Sequence, residues 1–139
     1  MEPVAKHLAF HASIVLLLGL LFGAPYAKAI KRGAEAHIVR SWQVAHVSLP
    51  LGATLMIATS AILSSLAVGT ATKWALAIAL IVSSYSFCVA LPLGALLGHR
   101  GLSSSGPIGA KVVYAGNLLG AWASLVAAVI LVYACFISL

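Results

Sequence analysis

Long apolar runs separated by short polar breaks dominate the chain. Inside two of those runs stand imidazoles: His11 in the first, and His46 in the second with Pro50 four residues on. Four runs can be read, over residues 8–29, 39–68, 74–97 and 108–139, and each reaches the roughly 20 residues a helix needs to cross a hydrocarbon core about 30 Å thick. Stretches such as Leu76 to Val82 are apolar at every position, whereas a barrel strand alternates apolar with polar residues, so the pattern predicts helices. Short connections join antiparallel neighbours. The expected fold is all-α: a four-helix transmembrane bundle running up-down-up-down, one integral membrane domain over 1–139, and oligomeric.

The connections follow from polar and turn-forming residues. The first reads as about ten polar, helix-compatible residues around Lys31 to His37, and the second as a tight turn at Gly69 to Lys73. The third, Gly98 to Gly109, holds serines, glycines and Pro107, which stop one helix and restart the next. Gly94, Gly116 and Gly120 have the small-residue spacing that lets helices approach closely, within one chain or between subunits. Lys6 ahead of the first run, with Ala24 and Ala27 after it, gives that run the outline of a secretory signal. His11 within it and the further spans beyond it favour a retained first helix.

Composition agrees with the pattern, since 63% of the 139 residues are hydrophobic and 7% are charged, too few polar side chains to cover a soluble monomer. The net charge is +6, unevenly placed: Lys28, Lys31, Arg32 and Arg40 flank the first connection and Arg100 and Lys111 the third, against Lys6 and Lys73 at the opposite end. The bias of Lys and Arg toward the cytoplasm then puts both termini on the non-cytoplasmic side, in a bacterial inner membrane. These cations read as topology and contact with anionic membrane lipid. With no basic face interleaved with aromatics, no nucleic acid partner is expected.

An intramembrane His is costly without a partner and marks a candidate functional site, a metal being the partner expected here. Trp42, Gln43 and Pro50 lie three or four residues from His46 and share its helix face. Pro50 has no N–H for the His46 carbonyl, which predicts a kink that opens space beside the imidazole. A neutral His hydrogen-bonded to a neighbouring helix fits the same spacing. His7 and His11 form an i, i+4 pair, with His11 as the pocket-lining member, while His37 and His99 read as solvated. Asn117 is a polar amide within the fourth run that could bond across helices or orient a ligand, and Tyr85 could offer a phenol to the same cavity. Cys88 and Cys135 lie within spans as packing residues, and with no CxxCH a covalently attached haem is excluded. Glu2 and Glu35 are the only acids and both lie outside the spans. That removes proton-coupled exporters, which need an ionisable group in the membrane, and hydrolases built on a carboxylate pair or an Asp-oriented His.

The stretches His11 to Gly23 and Trp42 to Pro50, with Arg100 to Leu102, resemble styrene oxide isomerase and the related hydroxylaminobenzene mutases. The likeness covers about the first 105 residues and fades in the fourth run. It implies a membrane isomerase that forms a homotrimer with haem b between subunits, His46 being the iron ligand. The family's first-helix His falls on His11, its Asn six residues after the ligand on Gly52, and its pocket Tyr on Leu91. The implied reaction is an internal rearrangement of a small aromatic substrate, an aryl epoxide to an aldehyde or an aryl hydroxylamine to an aminophenol, with ferric haem as Lewis acid. His11, Trp42, Gln43 and Arg40 are the candidate residues around the cofactor, and Asn117 and Tyr85 the candidate catalytic groups. Two alternatives stand beside it: a haem b electron carrier, which would need His11 as a second ligand, and a non-catalytic structural membrane protein.

Overall fold

Helix α1 (Pro3–Leu21) begins five residues ahead of the expected first span, with Pro3 in its opening turn, where a missing N–H costs nothing. Lys6 and His7 are exposed there, so the helix begins in the interface and not at the edge of the oil. The computed structural model describes residues 2–99 and 101–139; Arg100, one of the cations counted above, lies outside the described residues. Helix α2 (Gly23–Lys31) continues α1 after a break at Phe22. Pro25 has no N–H to return to the Leu21 carbonyl, which is reason enough for the ladder to part. The two helices together make one 29-residue span.

The first connection is shorter than expected, running only from Arg32 to Glu35. Gly33 takes the left-handed conformation (φ 61°), Ala34 N–H bonds the Ala29 carbonyl at 3.0 Å, and Gly33 N–H bonds that of Ile30 at 3.0 Å. This pair of bonds is a Schellman closure, which satisfies orphan carbonyls and reverses the chain sharply. Helix α3 (Ala36–Ile62) then runs through Pro50 without interruption and ends in a 3₁₀ turn, Leu63–Ser65. The second span therefore stops before Val68, because Leu66 turns to extended backbone while its side chain stays buried. Helix α4 (Thr70–Leu97) closes on Gly98 (φ 69°), and α5 (Ile108–Ile137) starts directly after Pro107.

All four spans are long and apolar enough to cross a membrane, and the described residues contain no strand. Consecutive spans are antiparallel neighbours. α1 packs on α3 and α4, and α5 packs on α4. Val4, Leu8, Val15, Met56, Leu63 and Leu76 fill the centre. Leu119, Trp122, Val129, Val132 and Phe136 of α5 face outward, as expected of a helix bathed in lipid or covered by another subunit. At the end holding the termini, Lys73 Nζ donates to Glu2 at 2.8 Å. That pairing leaves Lys6 as the free cation there among the described residues and sharpens the charge asymmetry seen in the sequence.

Candidate active site

His46 sits where α3 crosses the break between α1 and α2. Its Nδ1 lies 2.9 Å from the Gly19 carbonyl oxygen. A carbonyl can only accept, so Nδ1 carries the proton, and in the neutral ring the Nε2 lone pair is left free. Two glycines make the approach possible. A Cβ on Gly23 would stand 3.0 Å from His46 Cε1, and one on Gly19 would stand 2.4 Å from Pro50 Cδ. The glycines of α1 and α2, one helical turn apart, thus receive Pro50 and His46 of α3, also one turn apart. Tyr26 of α2 completes the seat, its ring centroid 6.1 Å from the imidazole and tilted 32°. Sequence reasoning missed Gly19, Gly23 and Tyr26; the Gly-xxx-Gly spacing from Gly19 to Gly23, followed by Pro25, was the available signal. The space the Pro50 kink was expected to open is filled at this level by α1.

The other candidates separate from His46. Trp42 is buried and packs on Phe22, with Ala29 and Ala95 in the same cluster, so it is a core residue; Gln43 is exposed on the outer side. His11 Nδ1 and the Tyr85 hydroxyl are hydrogen-bonded at 3.0 Å, with the rings edge to face. Eight residues of α1 separate His11 from Gly19, about 12 Å along the axis at 1.5 Å per residue. One chain therefore does not bring the two imidazoles together. His7 turns to Trp74, with centroids 5.6 Å apart. The expectation that Tyr85 and Asn117 share a cavity is corrected: Tyr85 is bonded to His11 of α1, whereas Asn117 lines a cavity with His37, Arg40 and Gly94 that Tyr85 does not line.

Two cavities adjoin on the far face of α3. An apolar one of about 750 Å³ is lined by Ser48, Gly52, Leu55, Leu80, Phe87 and Leu91 among others. Ser48 is two residues from His46, about 200° around the helix, so this cavity and the imidazole face opposite ways. A polar one of about 290 Å³ holds Asn117 with His37, Arg40, Ser41 and His99. Arg40 is thus apart from His46, and His37 and His99 are half-buried in a cavity wall, not simply solvated. Gly116 and Gly120 pack against Ala90 and Phe87 of α4, so their spacing serves contact within the chain.

Among the described residues no three His, Cys, Asp or Glu side chains gather as a metal cluster. A haem needs only one protein ligand at an open site. His46 fits that requirement: a half-buried imidazole, fixed by a backbone acceptor on one nitrogen and with a lone pair on the other, is how a ligating His is usually oriented.

The fold and this site define a multi-pass α-helical membrane protein in which an imidazole within a span is held by a main-chain carbonyl. The styrene oxide isomerase family profile matches residues 4–136. The chain belongs to the styrene oxide isomerase family, and the match runs through α5, beyond where the recognisable motifs fade. Membership points to an isomerase. No curated protein matches the chain.

Proposed function

We propose that the protein is a haem b-dependent membrane isomerase that rearranges a small aromatic epoxide or aryl hydroxylamine, with His46 as axial ligand. The observation that carries this reading is the bond from His46 Nδ1–H to the Gly19 carbonyl, which leaves Nε2 as the ligating atom. Bound haem would supply a Lewis acid to weaken the C–O or N–O bond of the substrate. The chain's own part is to hold and to exclude. The apolar cavity suits an aromatic body that partitions from the bilayer, and the spans contribute no carboxylate to trap a developing cation, which favours internal migration over hydrolysis. Of the hydroxyls at the cavity wall, three are committed to neighbouring groups: Ser83 donates to the Gly120 carbonyl at 2.8 Å, Thr54 to that of Pro50 at 2.9 Å, and Ser84 to Met56 Sδ at 3.1 Å.

His46 and the apolar cavity lie on opposite faces of α3, so a cofactor on His46 would meet the cavity of a second copy. This supports haem at subunit interfaces, and the family resemblance implies that the assembly is a homotrimer. The electron-carrier reading loses support within one chain, because its second ligand, His11, lies about 12 Å along α1 from the Gly19 that holds His46.

Detergent-purified protein should show a Soret band that His46→Ala abolishes. It should convert styrene oxide to phenylacetaldehyde, or phenylhydroxylamine to an aminophenol, without a redox partner. An undiminished band in the variant would overturn His46 as ligand, and the absence of both products would overturn the isomerase reading.

A further inference from the structure

The polar cavity is independent of His46. The geometry points to a binding site there for a phosphate ester that also carries a hydroxyl, the chemistry of a phosphatidylglycerol headgroup or of free glycerol phosphate.

The argument starts from what the walls lack. Asn117 Oδ1 is buried and has no hydrogen-bond partner among the described residues, although buried acceptors are almost always satisfied. Its amide nitrogen is packed against Gly101, which leaves the oxygen as the group in need of a donor. Ser41 has already given its proton to the His37 carbonyl at 2.8 Å, so toward a ligand it offers lone pairs alone. His37 Nδ1 faces Glu35 at 3.2 Å. Asn117 and Ser41 therefore call for a ligand that donates.

Arg40 calls for the opposite. It is exposed at the rim of the same cavity, and a guanidinium has five donors and no acceptor. A phosphate accepts in the fork geometry that Arg favours. One ligand satisfies both requirements if it joins an anionic phosphoryl group to a free hydroxyl. Val44, Ala90, Leu91 and Val113 line the rest of the cavity and suit a three-carbon backbone. The location agrees, for the cavity lies at the end of the bundle where Lys28, Lys31, Arg32 and Lys111 stand on the neighbouring helix ends. Juxtamembrane cations concentrate anionic headgroups.

The test uses the full-length protein, loaded from phosphatidylcholine vesicles containing either phosphatidylglycerol or phosphatidylmethanol, which has the same charge without headgroup hydroxyls. Native mass spectrometry then counts retained lipid. Phosphatidylglycerol should be retained about tenfold better, the worth of one buried hydrogen bond to a charged or orphaned group. Arg40→Gln, at an exposed position that tolerates the change, should lower retention of both lipids. Asn117→Leu should erase the preference between them, and Lys6→Gln, exposed at the opposite end of the bundle, should alter neither. A second arm offers glycerol 3-phosphate or inorganic phosphate to delipidated protein. Tighter binding of glycerol 3-phosphate without any lipid preference assigns the site to the soluble ester. Equal retention of the two lipids together with equal binding of the two phosphates overturns the proposal, as does indifference to Arg40→Gln.

Discussion

The α1–α3 and α4–α5 contacts use the same device for different ends. In both, a pair of glycines one turn apart removes Cβ atoms so that a neighbouring helix can come close, which is how helices associate where lipid offers no hydrophobic drive. In the second contact Gly116 and Gly120 admit Ala90 and the Phe87 ring, and Ser83 donates to the Gly120 carbonyl. Apolar side chains take the place of the missing Cβ atoms. In the first, Gly19 and Gly23 admit Pro50 and His46, and the carbonyl of Gly19 becomes the partner of an imidazole. A glycine pair is therefore a packing device in one place and the seat of a titratable ring in the other. The difference lies in what the opposite helix inserts.

Substitutions can break that contrast. Gly19→Ala should have the largest effect, because its Cβ would lie 2.4 Å from Pro50 Cδ and 2.9 Å from Leu49 Cβ, atoms close to the α3 backbone that cannot swing aside. A loss of about 1–3 kcal/mol is expected from such overpacking, read as a lower midpoint in detergent unfolding, with the Soret band falling in parallel. Gly23→Ala should separate the two readouts. Its Cβ meets the far edge of the His46 ring, which can rotate away, so unfolding should change little while haem retention falls by about 10–100-fold, the usual cost of disturbing a ligand's orienting bond. Unchanged retention would show that the ring's seat does not matter for the cofactor. Gly116→Ala should do the reverse, with haem retention intact and stability lowered by at most about 1 kcal/mol, since alanine's better helix propensity offsets part of the clash with Ala90. Tyr85→Phe should be smallest, removing one part-buried bond to His11 worth about 0.5 kcal/mol, the low end for a hydrogen bond, and leaving the Soret band in place.

The four spans were legible because runs of apolar residues encode length directly. Their ends were not. Leu66 and Val68 are as apolar as the helix before them, yet the chain has already turned at Leu63–Ser65; hydropathy reports the preference for oil and says nothing of which backbone bonds close. The break at Phe22 was within reach from Gly23 and Pro25, because proline deletes a donor wherever it falls. Of the candidate site, His46 and its companion Pro50 stood out, since a polar group in oil demands a partner. The partner itself was hidden: Gly19 contributes a main-chain carbonyl, and no side-chain type announces it. Trp42 and Gln43 were grouped with His46 by spacing, and Arg40 joined them only as a candidate around the cofactor. The structure sends one into the core, one outward and one to another cavity, because a helical face is wide enough to meet several neighbours.

That main-chain partnership constrains how position 46 can vary. Every residue placed at 19 carries a carbonyl, so the acceptor facing His46 cannot be deleted by mutation, only obstructed by bulk. Whatever stands at 46 must therefore bring a proton to it or leave it stranded. Asn and Gln can donate; Met and Cys have little or nothing to give. The backbone of one helix thereby edits the alphabet available to the next, and redesign of the centre with a sulfur ligand would have to re-route Gly19 first.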